Sequence, residues 1–244
     1  MRVDAFAIRL RRRSNLEAAD LGARLCQSVA RQVYTCYIIV ALPAIAIALA
    51  TFEIASWLPT LLLWWLKPWF DRTILFVLSR AAFGQSTSLG DVWRAQGHVL
   101  WSQLLGTLTL RRLSPWRSFT QPAYQLEGLS LGRRSQRVSQ LRSGKTGSAL
   151  LTTSAYSCVE MALMIAFLSL AFWFAPTGQE PQLDLLFTGE SERTLELAIA
   201  VAYSVVIIAL EPFYVAAGFG LYLNRRVELE AWDIEQEFRR AFPQ

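Results

Sequence analysis

The chain has 244 residues, 53% hydrophobic and 18% charged, with nine Trp, fourteen Phe and a formal net charge of +5. A soluble domain of this length carries roughly a quarter charged residues, so the composition excludes a disordered chain, a disulfide scaffold and most soluble enzymes. Charge is also segregated: Glu211 is the only charge between Glu196 and Arg225, and Glu160 the only one between Lys145 and Glu180. The pattern predicts an all-α integral membrane protein, a single membrane domain over 1–244. About four transmembrane helices are expected, with both termini cytoplasmic and amphipathic cytoplasmic helices.

Five Arg occupy the first thirteen residues, and the first apolar run starts only near Val33. A secretory signal has a much shorter lead, so no cleavable signal peptide is expected. Ser14 and Glu17 fit a capping box. Leu21, Leu25, Val29 and Val33 then share one helical face. This predicts an amphipathic helix that runs into the first span over 15–52, with Pro43 as a tolerated kink. The second apolar run meets Lys67, Pro68, Asp71 and Arg72. Over 54–79 there is either one broken span with charges inside it, or a short helix that ends near Leu66 and bends along the surface.

Residues 80–148 hold ten basic residues and only two acidic ones, Asp91 and Glu127. This predicts a basic cytoplasmic segment with surface helices. One of these, over 93–110, is either surface-bound or half-inserted. Ser114-Pro115 marks a helix start, and Ser130 to Lys145 reads as exposed. Ser143-Gly144-Lys145-Thr146-Gly147 resembles the tail of a phosphate-binding P-loop. The motif needs a Gly where Ser139 stands and a preceding strand, so it is rejected.

The third span is expected over 149–175, an acidic periplasmic loop over 176–194 and the fourth span over 195–224. A cytoplasmic tail helix over 225–242 follows. Its apolar stripe, Ala231, Ile234 and Phe238, suits docking to a partner. Nearly all Arg fall on the side of the termini, which the positive-inside rule makes cytoplasmic. Ala216-Ala217-Gly218-Phe219-Gly220 offers small residues for close helix packing.

The charges inside the spans are the informative residues. Glu160 and Glu211 both lie about 17 Å from the inner ends of their spans, at 1.5 Å per residue. Lys67, Asp71 and Arg72 reach similar depth if the second span is long. Mid-membrane charges cost roughly 3 kcal/mol each and persist only when paired, protonated or hydrated. An intramembrane ionic cluster of Lys67, Asp71, Arg72, Glu160 and Glu211 is therefore expected: a long second span puts a side-chain nitrogen of Lys67, Arg72 or Arg80 within salt-bridge distance of at least one Glu, whereas a span ending near Leu66 requires the Glu pair to be protonated or to reach water. Arg111, Arg112, Arg117, Arg133, Arg134 and Arg137 are expected to contact anionic lipid headgroups. No metal, cofactor or catalytic residue is expected. His98 is the only histidine, and Cys26, Cys36 and Cys158 show no ligand spacing. The Arg sit beside apolar runs, so nucleic acid is not an expected partner.

Several strings carry a resemblance. They are Glu17-Ala18-Ala19-Asp20-Leu21-Gly22, Trp64-Trp65-Leu66-Lys67-Pro68 with Asp71-Arg72, and Leu78-Ser79-Arg80 with Phe83-Gly84. Further along come Arg112-Leu113-Ser114-Pro115-Trp116-Arg117-Ser118-Phe119, Gln125-Leu126-Glu127-Gly128, Pro212-Phe213-Tyr214, Leu221-Tyr222-Leu223-Asn224-Arg225-Arg226 and Trp232-Asp233-Ile234. Over most of the chain they resemble an uncharacterised family of bacterial inner-membrane proteins. Genes of that family tend to lie near a MoxR-type ATPase and transglutaminase-like proteins. The last forty residues are also similar to the membrane domain attached to some glycerophosphodiester phosphodiesterases. Neither resemblance transfers a catalytic residue. The resemblance implies a multi-pass protein of the bacterial inner (cytoplasmic) membrane. The expected function is a non-catalytic subunit or scaffold of a multiprotein assembly, with protein partners at the cytoplasmic face. The alternative is a small transporter or ion- or proton-coupled protein using Glu160, Glu211 and Lys67. An enzyme acting on lipid headgroups is a third class, for which the sequence lacks a nucleophile and base.

Overall fold

A computed structural model describes residues 11–101, 104–109, 112–129, 131–173 and 189–230. Among these residues the chain is helical without strands. The helices are α1 (Asn15–Ser28), α2 (Ala30–Ala50), α3 (Leu58–Ala82), α4 (Leu89–Gln96), α5 (Leu104–Leu108), α6 (Arg117–Leu126), α7 (Leu131–Arg142), α8 (Thr146–Trp173) and α9 (Gly189–Glu230). Three helical stretches, Ala30–Glu53, Thr146–Leu170 and Leu195–Glu230, are long and apolar enough to cross a membrane. Large apolar side chains on them stand exposed, among them Ile47 (69%), Met161 (63%) and Ile165 (62%). α3 is 25 residues long but carries Lys67, Asp71, Arg72 and Arg80.

The spine is α9, 42 residues in one helix and so about 63 Å long at 1.5 Å per residue. It runs without interruption through Arg225 and Arg226. A separate helix was expected to begin there. Those two arginines instead stay in helical register by pairing with acids three and four residues on: Arg225 with Glu228 at 2.9 Å and Arg226 with Glu230 at 2.6 Å. The tail residues Ala231, Ile234 and Phe238 lie outside the described residues.

α1 and α2, separated only at Val29 (φ −118°, ψ 21°), run antiparallel to α9. The register is fixed by polar contacts along the whole length. Asn224 exchanges two hydrogen bonds with the Arg13 backbone at 2.9 and 3.0 Å. Tyr34 donates to the Ala209 carbonyl at 2.8 Å, and Glu53 pairs with Arg193 at 2.6 Å. Glycines permit the close approach. A methyl at Gly22 would overlap the Ala216 carbonyl, one at Gly220 the Ala18 carbonyl, and one at Gly218 the Ser118 side chain of α6. The small residues of α9 thus serve packing. The N-terminal cap of α1 forms in part. Ser14 accepts from the Glu17 N–H at 3.2 Å, but the Glu17 carboxylate pairs with Arg11 and Arg13 instead of closing a box.

α3 continues through Pro68 to Ala82 as one helix and does not end near Leu66. Proline removes one N–H and can be carried within a helix that neighbours support. The segment expected as one surface helix over 93–110 is instead α4, a π-turn at Gly97–Trp101 and α5. Arg72 anchors this segment. It donates to the Val99 carbonyl and to Thr107 Oγ1 at 3.1 Å, drawing this segment onto α3. α6 begins at Arg117, two residues after Pro115. α7 is not simply exposed: Arg134, Val138 and Leu141 recur at helical spacing and are buried. Arg137 on α7 pairs with Glu127 at 3.0 Å and with Glu230, which ties α7 to the end of α9.

Candidate functional site

Lys67 and Asp71 are four residues apart on α3 and therefore share a face. That face meets α9, α8 and α6. Lys67 Nζ lies 2.7 Å from Glu160 Oε2 on α8 and 3.0 Å from Glu211 Oε2 on α9. The other Glu211 oxygen accepts from Arg117 Nη2 at 2.8 Å, and Arg117 Nε lies 2.9 Å from Asp71 Oδ2. Asp71 is 0% exposed and Glu211 2%. The result is a chain of alternating charge, Glu160–Lys67–Glu211–Arg117–Asp71, linking four helices.

Two tyrosines line it. The Tyr203 ring centroid is 5.9 Å from Lys67 Nζ, and that of Tyr214 is 5.3 Å from the Arg117 guanidinium. Arg112 lies beside the chain of ion pairs. It is buried and stacked on Trp64 at 3.7 Å without touching a carboxylate. Desolvation and the neighbouring Arg117 charge push its pKa down to about 10, opposed by the Asp71 and Glu211 carboxylates. Lys67 and Arg117 each bridge two of the three carboxylates, and Arg112 lies alongside without pairing with one. Burial penalises each charge, and close opposite charges in a weakly screening interior offset that penalty.

The structure thus brings together Lys67, Asp71, Glu160 and Glu211 and leaves Arg72 outside the cluster. Arg72 follows Asp71 by one residue, a turn of about 100° around the helix, so it faces α5 and the π-turn instead. Its own carbonyl accepts from Gln125 Nε2 at 2.8 Å.

Four of the arginines expected at lipid headgroups are placed otherwise. Arg117 is inside the cluster because α6 lies between α3 and α9. Arg112 is buried on Trp64. Arg134 is buried and donates to the Leu129 carbonyl at 2.6 Å, and Arg137 holds α7 against α9. Arg133 is exposed, and Arg111 lies outside the described residues. Sequence reasoning missed Arg117 as a cluster member. The available signal was the balance of charge: with Arg72 turned away, Lys67 alone faces three carboxylates.

A cavity of about 640 Å³ opens against the cluster between α3, α8 and α9. Lys67, Glu160 and Glu211 line its polar end, and Met161, Met164 and Ile165 its apolar wall. Among the described residues, no group of three or more His, Cys, Asp or Glu is placed to hold a metal ion. Comparison with protein-family models, curated proteins and solved structures returns no match for this chain. What the fold itself defines is a class: a helical bundle on one long spine, with three helices fit to cross a membrane and a largely buried chain of ion pairs.

Proposed function

We propose that this chain is a non-catalytic subunit or scaffold of a multiprotein assembly in the bacterial inner membrane. In this reading α2, α3, α8 and α9 all span the bilayer. Both termini, the basic segment and α7 face the cytoplasm, where anionic lipid and protein partners are met. The charges of α3 support its place as the fourth span, since they face protein partners and not lipid. The observation that carries the reading is the chain of ion pairs Glu160–Lys67–Glu211–Arg117–Asp71. Its charged groups are committed to one another, as a clamp that fixes helix packing requires. Purification from native membranes in mild detergent tests it. Stoichiometric recovery with the same partner proteins is the expected result. Recovery as a bare monomer with no partner would overturn the scaffold reading.

A second reading, a small ion- or proton-coupled transporter, is favoured by one observation. The 640 Å³ cavity reaches Lys67 and Glu160, and the Glu160 side chain keeps 22% exposure. Flux through proteoliposomes, abolished by Glu160→Gln with folding intact, would replace the clamp by a carrier site.

A further inference from the structure

A second cavity, of about 820 Å³, lies between α6, α7, α3 and the start of α8. Its described walls carry Arg72, Arg117, Arg134 and Arg142 and no carboxylate. Such a wall attracts anions. Arg117 is spent on Asp71 and Glu211. Arg142 differs: it stacks on the Trp116 ring at 3.7 Å, and its buried Nε meets no acceptor. No carboxylate among the described residues lies within salt-bridge distance of it. Gln121 supplies a second and independent sign. It lines the cavity, is 8% exposed, and its buried amide nitrogen has no acceptor. Donors buried without partners are costly, and a ligand acceptor relieves that cost.

The same cavity receives the turn that leads into α8. Ser143, Gly144 and Thr146 line it, with Gly144 at φ 73° and Thr146 the first residue of the helix. A helix start presents unpaired N–H groups and a positive dipole end, which suit a phosphate. This is the stretch that resembles a P-loop tail, but it does not work as one. Lys145 turns away, to Glu228 at 2.7 Å and Asn15 at 3.0 Å, so the arginines supply the charge. Arginine's planar fork matches phosphate oxygens bidentately.

We propose that this cavity binds a phosphate group, held by Arg142, Gln121 and the Ser143–Thr146 turn, with Arg134 about two turns earlier on α7. Its volume fits a whole phosphorylated small molecule or the headgroup of a phospholipid. The apolar cavity shares Ser114 and Arg117 with it as a common wall, next to which a lipid's chains would lie.

Two probes distinguish the sources. The full chain in phosphatidylcholine nanodiscs is titrated with inorganic phosphate. In parallel, the chain in discs that also contain phosphatidic acid is analysed by native mass spectrometry for retained lipid. Saturable binding in the first arm identifies a soluble phosphate. Retention of phosphatidic acid over phosphatidylcholine in the second identifies a lipid. In either case Arg142→Gln should weaken binding by about tenfold, the range of a charge-assisted hydrogen bond. Gln121→Leu should weaken it as well, and the exposed control Arg94→Gln on α4 should leave it unchanged. If Arg142→Gln fails to fold, Gln121→Leu decides. Absence of saturable binding in both arms overturns the site. So does an equal loss with Arg94→Gln, which would mark general surface attraction.

Discussion

Lys67 and Glu160 are 93 residues apart in sequence, yet their charged atoms meet at 2.7 Å in the centre of the bundle. Glu211 shares the same ammonium and hands its second oxygen to Arg117. One consequence is a hierarchy among the carboxylates. Glu211 touches two cations and is nearly fully enclosed, whereas Glu160 touches one and borders the cavity. Glu211→Gln should therefore destabilise the protein by about 3 kcal/mol or more, the cost of stranding a buried partner, and Glu160→Gln by clearly less. Thermal unfolding in detergent ranks them. An equal loss, or the reverse order, would refute the hierarchy.

The seam between α1 and α9 makes a second prediction. Gly22→Val forces a side chain into the Ala216 carbonyl, where only backbone could move. A loss of about 1–3 kcal/mol is expected, the usual range of overpacking. Gly147 is the contrasting position: it lies in α8 with nothing within 4 Å of an added methyl. Gly147→Ala should be neutral or stabilising by about 0.5–1 kcal/mol, through the restricted unfolded chain. Melting curves of the two variants in one detergent give the comparison, and similar melting points would contradict it.

Much of the helical layout was legible because apolar runs of membrane length have few alternatives. The equal depth of Glu160 and Glu211 was readable from residue counting along two antiparallel helices. The side on which Arg72 faces was not. A single residue step turns a side chain by about 100°, and only the position of α5 decides which face finds acceptors. Arg117 was hidden for another reason: it opens a short helix whose docking depends on Gly218 receiving Ser118. α7 was hidden because its buried stripe includes an arginine, Arg134, which hydropathy counts as surface.

Cys26 offers a chemical test of the α1 seam. Its thiol is fully buried, and desolvation pushes its pKa up to about 11. The thiolate is the reactive form. Cys26 should therefore stay unmodified by a permeant maleimide at neutral pH in the folded protein, and react once the chain is unfolded in denaturing detergent. Peptide mass spectrometry reads the site. Rapid labelling in the native state would show that α1 does not hold to α9.

A pH effect is expected at the start of α4. The Ser88 backbone N–H and hydroxyl donate to Asp91 at 2.9 and 3.0 Å and hold its carboxyl below the ordinary 3.8. A depressed folded pKa stabilises above the unfolded value and is lost as pH falls through the folded one. Amide exchange in the first turn of α4 should therefore quicken only below the usual carboxylate range. Ser88→Ala should quicken it at neutral pH, with a local cost of about 1 kcal/mol. Exchange that is insensitive to both would remove the cap.

The most direct measurement is a double-mutant cycle on Lys67→Met and Glu211→Gln, read by equilibrium unfolding in one detergent. A clamp of mutually dependent charges predicts strong coupling, because the first substitution already strands what the second removes. The double variant should lose less than the sum of the single losses, by about 0.5–3 kcal/mol, the range found for residues in contact. Additive losses within about 0.3–0.5 kcal/mol, as for independent sites, would contradict the ionic clamp.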